Sequence, residues 1–211
     1  MESGERYFDL AAATWDEEPR HVERAATLFR AIDAEVGLTA EMDVLDFGCG
    51  TGLLTLQLAS ETGRVVAVDR SQEMLDVLRG KAEACRADNV STRAIDLDAG
   101  DTLDGAYDLV VSTMTLHHIA APLTLLAQFA RVLKPGGNLC VADLDSEDGS
   151  FHGENPTVFH NGFDRAALRE LMSQAGFGEI RDRTAGEIVK AVAGGGERTF
   201  TVFLMTGRRA P

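Results

Sequence analysis

Three glycines at alternate positions, Gly48, Gly50 and Gly52, fall in the run Val44-Leu-Asp-Phe-Gly-Cys-Gly-Thr-Gly52. A turn without Cβ atoms lets backbone approach a ligand closely, and at the start of a helix it points N–H groups at that ligand. Asp46 lies inside this run, and Asp69 closes the next apolar run, Arg64-Val-Val-Ala-Val68. A carboxylate at that place can accept hydrogen bonds from both hydroxyls of a ribose, which points to an adenosine-containing ligand without choosing the cofactor. The dinucleotide fingerprint, GxGxxG, uses its third glycine to pack helix against strand. Here the spacing is GxGxG and Leu53 follows.

Four histidines are candidates for moving a proton. His117 and His118 follow a strongly apolar run, at the edge where open α/β sheets bind ligands. Each is a candidate base, or else a cap on the turn before Pro122 that bonds to backbone. His152 and His160 lie in Phe151-His-Gly-Glu-Asn-Pro-Thr-Val-Phe-His160, a mixture of aromatics and histidines that suits either a pocket wall or an ordinary exposed loop. His152 and His160 with Glu154 invite a metal reading, but their spacing fits no familiar ligand pattern, so no metal is expected. Tyr7, Phe8 and Trp15 precede the first long helical stretch. An aromatic there either meets a cation through its ring face or simply packs the segment down. Cys49 reads as a small filler, since no base stands beside it.

The elements that must position these residues alternate along the chain. Apolar residues at Val22, Ala25, Ala26, Phe29, Ile32 and Val36 predict a helix over 21–36, begun near Pro19 and ended at Gly37. Strands are expected at 42–47, 64–68, 91–95, 107–111 and 138–142, with helices over 53–60, from Ser71 as N-cap, and from Pro122. Lys134-Pro-Gly-Gly137 is expected to stop that last helix before the fifth strand begins. Asp164 should cap a helix ending at Gly176, and two further strands, 178–189 and 198–206, flank Gly194-Gly-Gly196. Such alternation predicts an α/β fold: a Rossmann-like, doubly wound, mostly parallel seven-stranded sheet with helices on both faces and an antiparallel last strand. With 211 residues and no linker or repeat, residues 1–211 read as one domain.

Composition narrows the partners. Acids outnumber bases 34 to 20, giving a net charge of −14 with no basic run. Nucleic-acid binders gain affinity from Lys and Arg on phosphates, so a nucleic-acid substrate is disfavoured and a small molecule expected. No apolar stretch is long enough for a membrane span, the polar N-terminus lacks a signal-peptide pattern, and the three cysteines form no CxxC pair. A cytoplasmic protein, monomer or homodimer, is expected.

In combination, the motifs resemble the class I S-adenosylmethionine (SAM)-dependent methyltransferases. The glycine run resembles their motif I. Asp69, Asp96-Leu97, Tyr107-Asp-Leu-Val-Val-Ser-Thr-Met-Thr-Leu-His-His-Ile119 and Leu133-Lys-Pro-Gly-Gly137 then follow in the family's order. The likeness covers roughly 40–145 and is nearest the small-molecule branch that includes the ubiquinone and menaquinone biosynthesis methyltransferases. It implies that Asp46 helps hold the methionine ammonium of SAM, that Gly48 and Gly50 pass beneath the ligand, and that Asp69, with Arg70 beside it, serves the ribose. It implies Gln72 and Met74 beside the adenine, Asp96 on its amino group, Leu97 in the same pocket, and Ser112 and Thr113 toward the sulfonium. It further implies that residues 1–20, with Trp15, form a lid over the cofactor and that 145–163 is a substrate-side insertion. S-adenosylhomocysteine (SAH) would be the product. The readings left in competition are a SAM-binding module or protein methyltransferase without a small-molecule acceptor and, more remotely, an NAD-dependent oxidoreductase. A DNA amino-methyltransferase fits poorly, because Ser112-Thr-Met-Thr115 contains no proline.

Overall fold

The computed structural model describes residues 2–153, 155, 157–192 and 195–210; Glu154 and Gly194, singled out above, lie outside the described residues. Seven strands form one sheet in the order β3-β2-β1-β4-β5-β7-β6. They are β1 (Asp43–Phe47), β2 (Arg64–Asp69), β3 (Val90–Ala94), β4 (Tyr107–Thr113), β5 (Leu133–Leu144), β6 (Phe177–Ala191) and β7 (Glu197–Arg209). The first five are parallel, and β7 inserts antiparallel between β5 and β6. The helices are α1 (Glu2–Ala11), α2 (Pro19–Val36), α3 (Thr55–Glu61), α4 (Gln72–Cys85), α5 (Pro122–Val132) and α6 (Arg165–Gln174).

Strand alternation sends side chains to two faces, and each face has its own core. Leu45, Val110, Val141 and Phe203 pack with Phe129 of α5 and Leu168 of α6. Val44, Leu109, Val111 and Ala142 pack with Leu28 and Ile32 of α2 and Leu58 of α3. The expected caps form: Ser71 Oγ accepts from Met74 N at 3.2 Å and Asp164 Oδ1 accepts from Ala167 N at 2.9 Å. Gly37 ends α2 in the left-handed region, φ 68°.

Three expectations need correction. The buried stripe of α2 runs through Leu28, Ala31 and Ile32, while Val22 is 43% exposed. At about 100° per residue, Val22 points roughly 180° away from the buried Ala31, off the stripe that meets the sheet. Next, Lys134-Pro-Gly-Gly137 belongs to β5 and does not precede it: the ladder pairs Tyr107 with Leu133, then Leu109 with Asn138, making a bulge. Lys134 Nζ there donates to Asp108 at 2.7 Å and Asp43 at 3.1 Å, tying β1, β4 and β5 together at the end of the sheet opposite the glycine turn. Finally, residues before Pro19 hold more structure than the sequence reading assigned, with α1 running into a 3-10 helix, Ala12–Glu17.

Candidate functional site

The carboxyl ends of β1, β2 and β4 converge on the glycine turn. The N–H groups of Gly48 and Cys49 donate to Val68 O at 2.8 and 3.1 Å, Gly52 N donates to Cys49 O at 3.0 Å, and Gly50 N donates to Asp69 Oδ2 at 2.8 Å. The expectation of free N–H groups aimed at a ligand is therefore wrong for these four. A pyrophosphate needs such a cradle. A ligand that is cationic where it meets the turn does not, and this corner instead carries the carboxylates of Asp46 and Asp69.

The glycines also divide their work differently from the sequence reading. A Cβ on Gly48 would stand 2.2 Å from Thr115 Oγ1, and one on Gly52 would stand 2.2 Å from Leu78 Cδ1. Both keep the chain's own packing close. Around Gly50 the nearest atom to such a Cβ is Met74 Sδ at 4.0 Å, so this glycine is the one that opens on space. Met74 itself is buried beneath it.

Asp69 accepts from Gly50 N with one oxygen and from Ser71 N, at 2.9 Å, with the other. The backbone of Arg70 bonds this carboxylate as well, which leaves about one of its four acceptor positions open to a ribose hydroxyl. Burial raises its pKa, with the bonds from Ser71 and Gly50 acting against that rise. Asp46 is 1% exposed and takes one short bond, from Thr55 Oγ1 at 2.6 Å. Burial pushes its pKa up to about 7. Burial and the same two carboxylates push the Cys49 thiol well up, which fits a filler residue and not a nucleophile.

Past the end of β3, Arg70 bridges Asp96 Oδ2 at 3.3 Å and Asp98 Oδ2 at 3.0 Å. Asp96 Oδ1 caps its own turn, accepting from Asp98 N at 2.9 Å. Leu97 packs half-buried against the core, and Gln72 is exposed and bonds Asp76 at 2.9 Å. Ser112 and Thr113 do not both face one ligand, because neighbours on a strand point to opposite faces. Ser112 shares the Val110 face, is buried, and its Oγ has no hydrogen-bond partner.

The N-terminal segment crosses this edge. Asp9 accepts from Ser71 Oγ at 2.6 Å, and Asp16 accepts from Thr51 Oγ1 and Lys81 Nζ, each at 2.6 Å. Phe8 meets His118 edge-on at 5.1 Å. Trp15 stacks on His21 at 4.1 Å, and its carbonyl accepts from His21 Nδ1. The indole thus packs the segment onto α2.

Beyond β4 the chain turns at Met114, a non-glycine in the left-handed region at φ 53°, and enters a short 3-10 helix, Leu116–His118. His117 Nδ1 lies 2.7 Å from Asp143 Oδ1, and the two side chains are 1% and 0% exposed. A carboxylate only accepts, so Nδ1 carries the ring proton and a neutral His117 presents a bare Nε2. Among the described residues that Nε2 has no hydrogen-bond partner, nor does His152 Nε2, whose ring centroid is 4.6 Å from that of His117. His118 also joins, at 4.1 Å from His117, with its Nδ1 on Thr157 O at 2.9 Å. Burial lowers the pKa of His118 to about 4 and of His152 to about 3. Both are neutral at pH 7.

Of the four candidate bases, then, three come together and His160 stands apart, bonded through Nε2 to Ile119 O at 3.0 Å. For the two histidines after β4, the plainer reading, a bond to backbone, fits His118. For His117 it fails, because the partner is a buried carboxylate 26 residues on. Asp143 was missed because it sits at the end of an apolar run with no local motif to mark it.

Residues 44–137 match the family described as Methyltransferase domain. An uncharacterized methyltransferase of Schizosaccharomyces pombe is 32% identical over 149 residues, 64% of this chain and 52% of that protein. A ubiquinone biosynthesis O-methyltransferase of Xanthomonas oryzae pv. oryzae is 31% identical over 153 residues, 70% of this chain and 62% of that protein. The chain thus spans between half and two thirds of these relatives' lengths. A putative methyltransferase of Bacillus halodurans superposes with a TM-score of 0.74 at 16% identity, covering 87% of this chain and 99% of that one.

Proposed function

We propose that this chain, which belongs to the class I SAM-dependent methyltransferases, moves a methyl group from SAM to a hydroxyl of a small molecule, with His117 as general base. SAM supplies an electrophilic methyl on a sulfonium. Asp69 grips the ribose, and Asp46 receives the ammonium. Residues 1–20 close over the cofactor as a lid, through Asp9–Ser71 and Asp16–Lys81. Residues 145–163 form a wall on the acceptor side. Holding the acceptor at attack distance in a dry site is worth up to roughly 7–11 kcal/mol. The three unpaired cysteines fit a reducing cytoplasm.

The buried His117–Asp143 pair carries the reading. In such a pair the carboxylate fixes the tautomer and steadies the imidazolium that forms. The acceptor hydroxyl passes its proton to His117 Nε2 while its oxygen takes the methyl, and the bonding pair of the broken C–S bond stays on sulfur. Acceptors that must lose a proton gain most from this arrangement. An O-methyl product matches the activity for which the Xanthomonas relative, an O-methyltransferase, is named. The committed N–H groups of the glycine turn speak against the NAD reading.

The test is a mass-spectrometric screen of hydroxylated metabolites with SAM, seeking a product heavier by one methylene, followed by His117→Asn. The variant should lose about 10²–10⁴ in kcat, the usual worth of a positioned base, and hold its affinity for SAM within about twofold. Full activity in the variant removes His117 from the role. Affinity for SAM with no methylated product would favour a binding module.

A further inference from the structure

As the chain stands, nothing outside it reaches His117. The side chain is 1% exposed, and its Nε2, the nitrogen left bare by the bond to Asp143, is buried. A hydroxyl can pass its proton only to a nitrogen within hydrogen-bond reach. A group that covers His117 must therefore move before an acceptor can meet it.

Two rings lie against His117. The His118 centroid is 4.1 Å from it and the His152 centroid 4.6 Å, with 5.8 Å between those two rings. His118 is held from two sides, by the bond from Nδ1 to Thr157 O at 2.9 Å and by Phe8, edge-on at 5.1 Å. Among the described residues no hydrogen bond holds the His152 ring, and its Nε2 is buried without a partner. Its other neighbour is Phe151, edge-on at 4.6 Å. Of the two covers, His152 is the one free to leave.

The surroundings of His152 let the ring move while the backbone stays. Phe151 is 7% exposed and packs edge-on against Phe200 at 5.0 Å, and Lys190 Nζ donates to its carbonyl oxygen. Gly153 N donates to Gly149 O at 3.1 Å, which closes the turn. Beyond the ring there is room: a Cβ on Gly153 would meet nothing within 4 Å. His152 also lines an open cleft of about 580 Å³ between residues 148–153 and Lys190 and Ala191 at the end of β6. A change of side-chain rotamer would carry the ring into that space.

We propose that His152 is a gate over His117 and that this cleft is the acceptor's way in. This rests on the reading of His117 as the base and adds the path to it. With the ring in, the base is sealed, and His117 and His152 each hold a buried nitrogen without a protein partner, an unfavourable arrangement. With the ring turned out, the acceptor hydroxyl takes its place and bonds the Nε2 of His117.

The test reads access to His117 directly, with diethyl pyrocarbonate on the full chain at pH 7 and mass spectrometry to follow each histidine. The reagent acylates neutral ring nitrogens that it can reach. His117 should react at least about tenfold more slowly in the parent than in His152→Ala, as for a gate open less than about a tenth of the time. His152→Phe restores a ring without nitrogens and should bring the rate back toward the parent's. Ala191→Trp fills the cleft from an exposed strand end and should slow His117 below the parent. His160, bonded to Ile119 O and apart from the cluster, should react alike in all four proteins, which reports an intact fold. Equal rates for His117 in the parent and in His152→Ala would overturn the gate, as would a His152→Phe variant as reactive as His152→Ala. An unchanged rate in Ala191→Trp would overturn the cleft as the way in. Full activity in His117→Asn would instead remove the base while leaving these modification rates as they are, so the two failures are distinct.

Discussion

A carboxyl group shut away with one hydroxyl as partner is poorly placed to be charged, and Asp46 is such a group. Its folded pKa, about 7, lies above the ordinary value of 3.8. Between those values the folded chain binds more protons than the unfolded one, so this group's contribution to stability falls as pH rises from about 4 to about 7. A ligand ammonium at Asp46 would favour the charged form and expel the proton. SAM affinity should therefore climb from pH 6 to 8, with proton release visible as a dependence of binding heat on buffer. In Asp46→Asn, Thr55 keeps an acceptor; SAM should bind more weakly, the pH dependence should flatten, and the unliganded protein should melt higher at pH 8. A pH-independent dissociation constant in the parent would refute the assignment. Asp46 and Asp69 were readable from sequence because each belongs to a short apolar strand, Asp46 in β1 just before the glycines and Asp69 closing β2. The His117–Asp143 pair was not, since it depends on which long-range neighbour the sheet supplies.

At the scale of elements, strands and helices were legible where periodicity and caps coincide, as with Ser71 before α4, Asp164 before α6 and Gly37 after α2. The errors fall where tertiary contact overrides local pattern. Glycines in Lys134-Pro-Gly-Gly137 resemble a loop, yet the neighbouring strand holds them inside β5 as a bulge. Likewise α1 and the 3-10 helix after it are short amphipathic pieces that gain stability by lying on α4 and on His118. Their attachment is mostly polar, and so it can be undone. Asp16→Ala removes two of these bonds, to Thr51 and Lys81. A partly exposed pair of this kind is worth about 1–1.5 kcal/mol, hence SAM dissociation about tenfold faster if the segment retains the ligand. Trp15 is the only tryptophan in the sequence and sits on this segment, so its fluorescence in stopped flow reports release. An unchanged off-rate would mean that the segment packs there without holding the cofactor.

Over the whole molecule, charge is unevenly spread. The chain carries a net −14, and Asp9, Asp16, Asp46 and Asp69 gather around the glycine turn with Lys81 paired to Asp16, while Lys190 stands near the end of β6. The sheet makes this possible: parallel strands bring all their carboxyl ends to one edge, and the β6–β7 hairpin extends that edge past β5 to where Lys190 stands. SAM carries a sulfonium, an ammonium and a carboxylate, a net single positive charge. The field of an acidic body draws such a ligand in, and salt weakens the pull as the screening length shrinks from about 30 Å at 0.01 M to about 8 Å at 0.15 M. SAM association, followed by Trp15 fluorescence, should therefore slow by about twofold or more over that range, with dissociation nearly constant. A SAM association rate that does not change with salt would mean that the acidic body does not steer the ligand.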